Sequence, residues 1–343
     1  MNKKKVLFSI IVIALLIVGF FGVQYYQKVF GTSVTKSGFL YIKSDDSIED
    51  LAHSLSDFIK DTDDFLWLAE KKKFSNVKGG KYKITKGLSN NDLINFLRSG
   101  KQTPVKVSFN NQDTLEKLAG RISRQIEADS TSLIKAFTDK KFIFVTGMNP
   151  AQMLEKFIPN TYEFFWNTSG KEFRDRMFKE SDRFWTKERR AKAKALNMTP
   201  SEVISLASIV QKETAQVSER PTVAGLYINR IKRGIPLQAD PTIIYILKQQ
   251  NGQDYIVKRV LYKDLKIKSP YNTYIHKGVP PSLIAMPDIS SIDAVLNYQR
   301  HSYIYMCANV EKLGFHAFAK TLKQHNRNAR KYQNWLNKKG VRR

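Results

Sequence analysis

The chain has 343 residues, 42% of them hydrophobic, which supplies two or three domains with cores and excludes a disordered or low-complexity polymer. Its net charge of +26 and pI of about 9.9 imply anionic surroundings: nucleic acid, anionic lipid or an acidic polymer. A single cysteine, Cys307, excludes an intrachain disulfide and reads as a buried structural thiol in the apolar run 303–308, and the five histidines lack ligand spacing, so neither a metal nor a cofactor is expected.

Residues 1–5 carry three lysines and read as a cytoplasmic tail. Residues 6–23 are 18 residues without a charge, long enough to span a bilayer. The lysines favour an inside amino terminus, which puts the rest of the chain outside the cytoplasm. Tyr25 and Tyr26 suit the membrane interface, and no small-residue cleavage site follows, so the segment reads as an uncleaved single-pass anchor in the cytoplasmic membrane. That placement argues against nucleic acid as the partner. Residues 24–37 read as a linker.

From 38 to 109 a short strand, a polar turn and a helix opened by a hydroxyl residue recur. Residues 39–42 lead to Ser47, 81–84 to Ser89, and 105–109 to Thr114, each hydroxyl placed to cap a helix. This is a small α+β module suited to binding or spacing, with scaffolding an equal alternative.

Residues 110–335 form a second, larger α+β region. Periodicity is helical from about 115 to 200, interrupted at 157–166, where five aromatics flank a Pro-Asn-Thr turn. These rings either pack in a core or line a sugar cleft, and Glu163 among them is a candidate second carboxylate. Thr199, Pro200 and Glu202 form a capping box that opens a helix. Along it Val203, Leu206, Val210 and Glu213 share one face. Glu213 is then either the solvated end of an amphipathic helix or a partly desolvated carboxyl that holds a proton near neutrality, as a general acid must. A second helix is expected from about 218 to 232, stopped by Gly234. Residues 237–242 read as a loop, because Pro241 biases Asp240 away from helix, although Asp240 could instead start one. Residues 269–274 form a further polar loop, in which Asn272 either caps a turn or meets a sugar. Residues 278–281 form a stiff turn, and 314–318, containing His316, end a strand pair. Residues 324–343 read as a basic helix with a frayed end, of which 336–343 are the basic tail.

In this order the clusters resemble the endolytic murein transglycosylase family (MltG/YceG-like). The matching elements are Ser208-Ile209-Val210-x-Lys212-Glu213-Thr214, Ile228-Asn229-Arg230, Leu-Gln-x-Asp-Pro-Thr at 237–242, Tyr-Asn-Thr-Tyr at 271–274, Gly-x-Pro-Pro at 278–281 and Gly-x-His-x-Phe at 314–318. Gly-Lys-Tyr-Lys-Ile at 80–84 and Phe-Ile-Pro-Asn-Thr-Tyr-x-Phe at 157–164 are also similar. The resemblance spans about 38–335. It implies a LysM-like module followed by a catalytic domain around a lysozyme-like helix. The activity implied is cleavage of the β-1,4 bond between N-acetylmuramic acid and N-acetylglucosamine in nascent glycan strands, leaving 1,6-anhydro ends. Glu213 is then the single acid/base, Gln238, Asp240, Tyr271, Asn272 and Thr273 orient the sugar or Glu213, and Thr214, Asn229, Glu163 and His316 are supporting candidates. The family also implies peptidoglycan synthases as partners. Gln211 departs from the pattern where a second acid is expected. Two other readings stay open: a non-catalytic, membrane-anchored peptidoglycan scaffold, and a hydrolase in which Asp240 is a base. A nucleic-acid binder rests on charge alone and has no motif.

Overall fold

The structure, a computed structural model, describes residues 3–339; Met1 and Asn2 of the expected tail, and 340–343 of the basic tail, lie outside the described residues. The chain is a mixed α+β protein in two compact units. The first comprises residues 1–107, 123–129 and 162–169, and the second 108–122, 130–161 and 170–343.

The first unit begins with α1 (Lys3–Phe30). An 18-residue stretch within Leu7–Phe30 has a mean hydropathy of 2.6, and large side chains from Leu7 to Tyr26 are exposed on every side, so the helix is long and apolar enough to cross a membrane. Two strands and three helices follow: β1 (Gly38–Ile42), α2 (Ile48–Leu55), α3 (Thr62–Lys71), β2 (Gly80–Ile84) and α4 (Asn90–Ser99). Ser47, Asp61 and Ser89 cap the three helices through their side-chain oxygens. β1 and β2 pair antiparallel, with Gly38 opposite Ile84 and Ile42 opposite Gly80. Alternation sends Leu40, Ile42, Tyr82 and Ile84 inward against Leu51, Leu55, Phe65, Leu93 and Ile94.

Residues 24–37 are not a linker. α1 continues through Phe30, Val29 and Val34 are buried in the core of this unit, and Ser33 and Val34 both donate backbone hydrogen bonds to the Leu88 carbonyl. Lys28 pairs with Asp64 at 2.6 Å, and its carbonyl accepts from Asn90. The helix propagates past the charge-free stretch, and the apolar residues that follow find a core.

Among the described residues, the second unit holds fifteen strands and α-helices or parts of them, besides two short 3-10 turns at Val217–Glu219 and Asp264–Lys266. β3 (Val105–Phe109) pairs with β4 (Asn160–Phe164), each strand being divided between the units. Hence the third strand–helix repeat does not join the β1–β2 sheet. The helices are α5 (Leu115–Ile122), α6 (Ser130–Phe137), α7 (Lys140–Thr146), α8 (Pro150–Leu154), α9 (Gly170–Phe184), α10 (Lys187–Ala195), α11 (Pro200–Glu213), α12 (Arg220–Lys232), α13 (Asp240–Asn251) and α14 (Ile289–Leu296). β5 (Tyr305–Ala308) and β6 (His316–Ala319) form an antiparallel hairpin under α15 (Leu322–Lys338). α11 is the central helix, touched by α10, α12, α13 and α14. Gly225 on α12 lets the 299–301 loop approach closely: a Cβ there would meet the Gln299 carbonyl and, at 2.8 Å, His301 Nε2.

Candidate active site

The site is built on the end of α11. Thr199 Oγ1 accepts from the Glu202 amide at 3.2 Å and Glu202 Oε2 accepts from the Thr199 amide at 2.7 Å, closing the capping box, with Pro200 in the first turn. Every residue from Val203 to Val210 is buried, so the helix is a core helix and not amphipathic as its stripe suggested. The polar residues on its remaining faces are satisfied internally. Ser205 donates to the carbonyls of Pro280 and Ser282, Ser208 accepts from the Ile284 amide, and Gln211 binds Asp288 and Ser291 at the start of α14. Gln211 therefore serves packing between helices. Thr214 ends the helix in an extended conformation, buried, with its hydroxyl accepting from the Gln216 amide.

Glu213 faces a cleft of about 390 Å³ between α12, the start of α13 and the β5–β6 hairpin. Leu226, Leu237, Ile304, Met306 and Ala308 are in the apolar part of its lining. Burial pushes the Glu213 carboxyl up to about 7. Hydrogen bonding to Tyr227 and the charge of His316 oppose that rise, and the Asp240 charge adds to it. A carboxylate at a helix C-terminus is further disfavoured by the aligned peptide dipoles. Tyr227, buried on α12, donates to Glu213 Oε1 at 2.5 Å. Burial, and then Glu213 itself, hold the Tyr227 phenol far above its ordinary range, so it stays a donor. With Oε1 occupied, Oε2 is the oxygen left for a proton in transit.

Asp240 is exposed at the first position of α13, not in a loop. Pro241 sits in the first helical turn, where its missing N–H costs nothing. Tyr274 donates to Asp240 Oδ1 at 2.5 Å. Gln238 adopts a left-handed φ of 53° and is exposed at the cleft. Arg230 holds that strained turn: Nη2 donates to Gln238 Oε1, Nε to the Pro236 carbonyl and Nη1 to the Ile304 carbonyl. His316, the first residue of β6, is fixed by the buried Glu219, whose two oxygens face the His316 amide at 2.6 Å and ring Nδ1 at 2.8 Å.

Of the residues singled out in the sequence, Glu213, Gln238, Asp240 and His316 meet at one cleft. Tyr271, Asn272 and Thr273 do not. Asn272 is fully buried and donates to the carbonyls of Leu265 and Ile267, while Thr273, also buried, accepts from the Ala239 amide. Both hold the loop under Gln238, and neither has a polar atom free for a sugar. Tyr271 lines a separate cavity, its hydroxyl 2.6 Å from Ser282 Oγ. Asn229 ties α12 to the His301 and Tyr303 carbonyls. Glu163 is exposed on β4 in the first unit and is not among the residues of the Glu213 cleft. Cys307, read as a buried thiol, is half-buried and lines the cleft. Tyr227, Arg230, Tyr274 and Glu219 were missed as site residues. Arg230 and Tyr274 stood within the motifs, but Tyr227 looked like one more apolar helix position.

Residues 40–331 match the sequence model of the YceG-like family, and the chain belongs to that family. A Bacillus subtilis protein named endolytic murein transglycosylase is 29% identical over 316 residues, 87% of this chain and 85% of that one. A Streptococcus pneumoniae protein of the same name is 26% identical over 79% of this chain, which spans 53% of that longer relative. A crystal structure of a yceG-like protein from Listeria monocytogenes aligns with a TM-score of 0.55 at 26% identity, covering 85% of this chain and 98% of that one. The shared fold thus takes in both units.

Proposed function

We propose that this YceG-like chain is an endolytic peptidoglycan lytic transglycosylase with Glu213 as its only acid/base. The observation that carries the reading is a carboxyl raised to about 7 by burial, in an open cleft, with one oxygen held by a phenol donor. The names of the relatives from B. subtilis and S. pneumoniae support the substrate class.

In this reaction protonated Glu213 gives its proton to the glycosidic oxygen between N-acetylmuramic acid and N-acetylglucosamine as the bond from C1 to that oxygen breaks. The resulting carboxylate takes the proton of the muramic C6 hydroxyl, and O6 bonds to C1, closing a 1,6-anhydro ring. Proton and bond counts balance within the sugar and one carboxyl, so no water and no second carboxylate are consumed. Because the nucleophile belongs to the same ring, its effective concentration is high. Asp240 and Gln238 orient the sugar from the α13 side, with Tyr274 and Arg230 holding them. His316, positioned by Glu219, stabilises the Glu213 carboxylate between the two proton transfers.

The first unit serves as a LysM-like glycan-binding module. Phe39 and Tyr41, exposed on β1 opposite Lys83 and Lys81, supply an aromatic and basic face that suits this role. α1 anchors the chain as a single span in the cytoplasmic membrane, with its lysines inside and both units outside, next to nascent strands and the synthases that make them. The test is mass spectrometry of uncrosslinked nascent strands incubated with the full chain in detergent, wild type beside Glu213→Gln. Internal fragments with 1,6-anhydro-muramic ends, absent from the mutant, are expected. Reducing ends would make the protein a hydrolase with Asp240 as a base, and binding without cleavage would make it a scaffold.

A further inference from the structure

A second cavity of the second unit, about 620 Å³, lies along the other side of α13 and is separate from the Glu213 cleft. Tyr245, Gln249 and Tyr271 line it, with Asn149 and Gln253 at other points of the wall and Leu154 and Leu283 among its apolar lining. A small hollow of about 120 Å³ shares Asp113, Tyr245 and Gln253 with this cavity. The hollow also reaches Lys212 and Pro241, the chain neighbours of Glu213 and Asp240. The depressions therefore follow α13 from the catalytic end outward. Pro241, Tyr245 and Gln249 are spaced by four and share one helix face. From Asp240 to Gln249 the helix advances about 13 Å at 1.5 Å per residue, further than one sugar ring extends.

We propose that this cavity is a remote glycan subsite, taking a neutral N-acetylated sugar unit of the strand several residues away from the scissile bond, beyond the reach of a four-sugar strand bound across that bond. The proposal rests on the transglycosylase reading of the Glu213 cleft. Three features select the ligand. The Tyr245 and Tyr271 rings lie 4.8 Å apart at 46°, and the Tyr271 hydroxyl is fixed by Ser282, giving a preformed aromatic wall for the C–H face of a sugar. Gln249 and Gln253 each offer both a donor and an acceptor, and Asn149, whose Oδ1 caps α8 by accepting from the Gln152 amide, offers its side-chain N–H donors, together the complement of hydroxyl and acetamide groups. The third feature is charge. In a chain of net charge +26, no lysine or arginine among the described residues lines the larger cavity, whereas Asp113 and Glu116 do, and Asp113 is itself paired with Lys212 at 2.9 Å. Such a wall disfavours an anionic stem peptide and suits an uncharged ring. An enzyme that cuts within a strand gains from such a site, because a chain end does not fill it.

The test compares uncrosslinked glycan strands of four and of eight sugars, binding to the full chain in detergent in a Glu213→Gln background and being cleaved by the otherwise wild-type chain. Gln249→Ala is on an exposed position and Tyr245→Phe keeps the ring, so neither threatens the fold, and melting temperatures check this. Loss of one or two hydrogen bonds should weaken binding of the eight-sugar strand about tenfold with Gln249→Ala, leave the four-sugar strand unchanged, and raise KM for long strands without changing kcat. Equal weakening for both lengths, or no weakening for either variant, would overturn the subsite. If wild type cleaves nothing yet Gln249→Ala still weakens long-strand binding selectively, the catalytic reading fails and the subsite stands. If wild type cleaves and both variants match it at every length, the reverse holds.

Discussion

The Tyr227 hydroxyl on α12 donates to Glu213 Oε1 on α11 at 2.5 Å, with Tyr227 itself buried. This contact fixes which oxygen of the acid faces the cleft, and it depends on the packing of two helices. Tyr227→Phe keeps the ring in its core position and removes only the donor. A drop in kcat of about 10–100-fold is expected as the carboxyl loses its orientation. The hydrogen bond also lowers the Glu213 pKa, so its loss should move the alkaline limb of the rate profile to higher pH. A pH series of kcat on nascent strands checks both effects, and an unchanged limb would sink the assignment.

In the proposed reaction Glu213 must be protonated to act first as an acid. With its pKa raised to about 7, kcat/KM should fall roughly tenfold per pH unit above that value. Asp240 adds to the elevation through its charge, so Asp240→Asn should shift the same limb to lower pH, opposite in direction to Tyr227→Phe. Parallel pH profiles of wild type and the two variants test the pair of signs at once.

Glu155 is a buried carboxyl at the end of α8, outside the Glu213 cleft. Burial pushes it up to about 7, and hydrogen bonds from Ser201 and the Leu283 amide only partly offset this. Its ordinary value of 4.5 applies when unfolded, so between about 4.5 and 7 the folded state binds the proton more tightly. Stability attributable to Glu155 is thus full below 4.5 and is lost as pH rises through 7. Glu155→Gln should stabilise the protein by on the order of 1–3 kcal/mol at pH 8 and give no gain at pH 4. Denaturant melts of both proteins at the two pH values measure it, and an equal effect at both would reject the buried-carboxyl account.

Val29 and Lys28 join α1 to the first unit. A chain starting at residue 31 loses the Val29 burial, the Lys28–Asp64 pair and the bond from Asn90 to the Lys28 carbonyl. Such a chain should be roughly 2–4 kcal/mol less stable in the first unit than one starting at residue 24. Hydrogen exchange of α3 and α4 amides in the two shortened chains reads this directly, and equal protection would show that the end of α1 contributes nothing.

Local signals were legible wherever the physics is local. The N-cap at Ser47, the capping box at Thr199, the strands at 39–42, 81–84 and 105–109, and the β5–β6 hairpin all depend on residues a few positions apart. The start of α13 stayed open between loop and helix because Pro241 biases the residue before it away from helix but suits a first turn, and only the bonding of the preceding 235–239 segment decides between these. The periodicity along α11 was real, yet it hid a helix buried on all faces, since Ser205, Ser208 and Gln211 find partners more than seventy residues away.

The sequence by itself determined the anchor-length apolar helix, the α+β organisation and the family, and singled out Glu213 as the candidate acid, because hydropathy, capping and motif order are properties of neighbours along the chain. Tertiary structure alone decided which polar residues surround that acid. It brought Tyr227, Arg230, Asp240 and His316 to the cleft, sent Asn272 and Thr273 into the loop beneath it, and left Glu163 in the other unit. The reason is that a side chain's desolvation and hydrogen-bond partners are set by what packs against it across long sequence distances, and no local pattern encodes that.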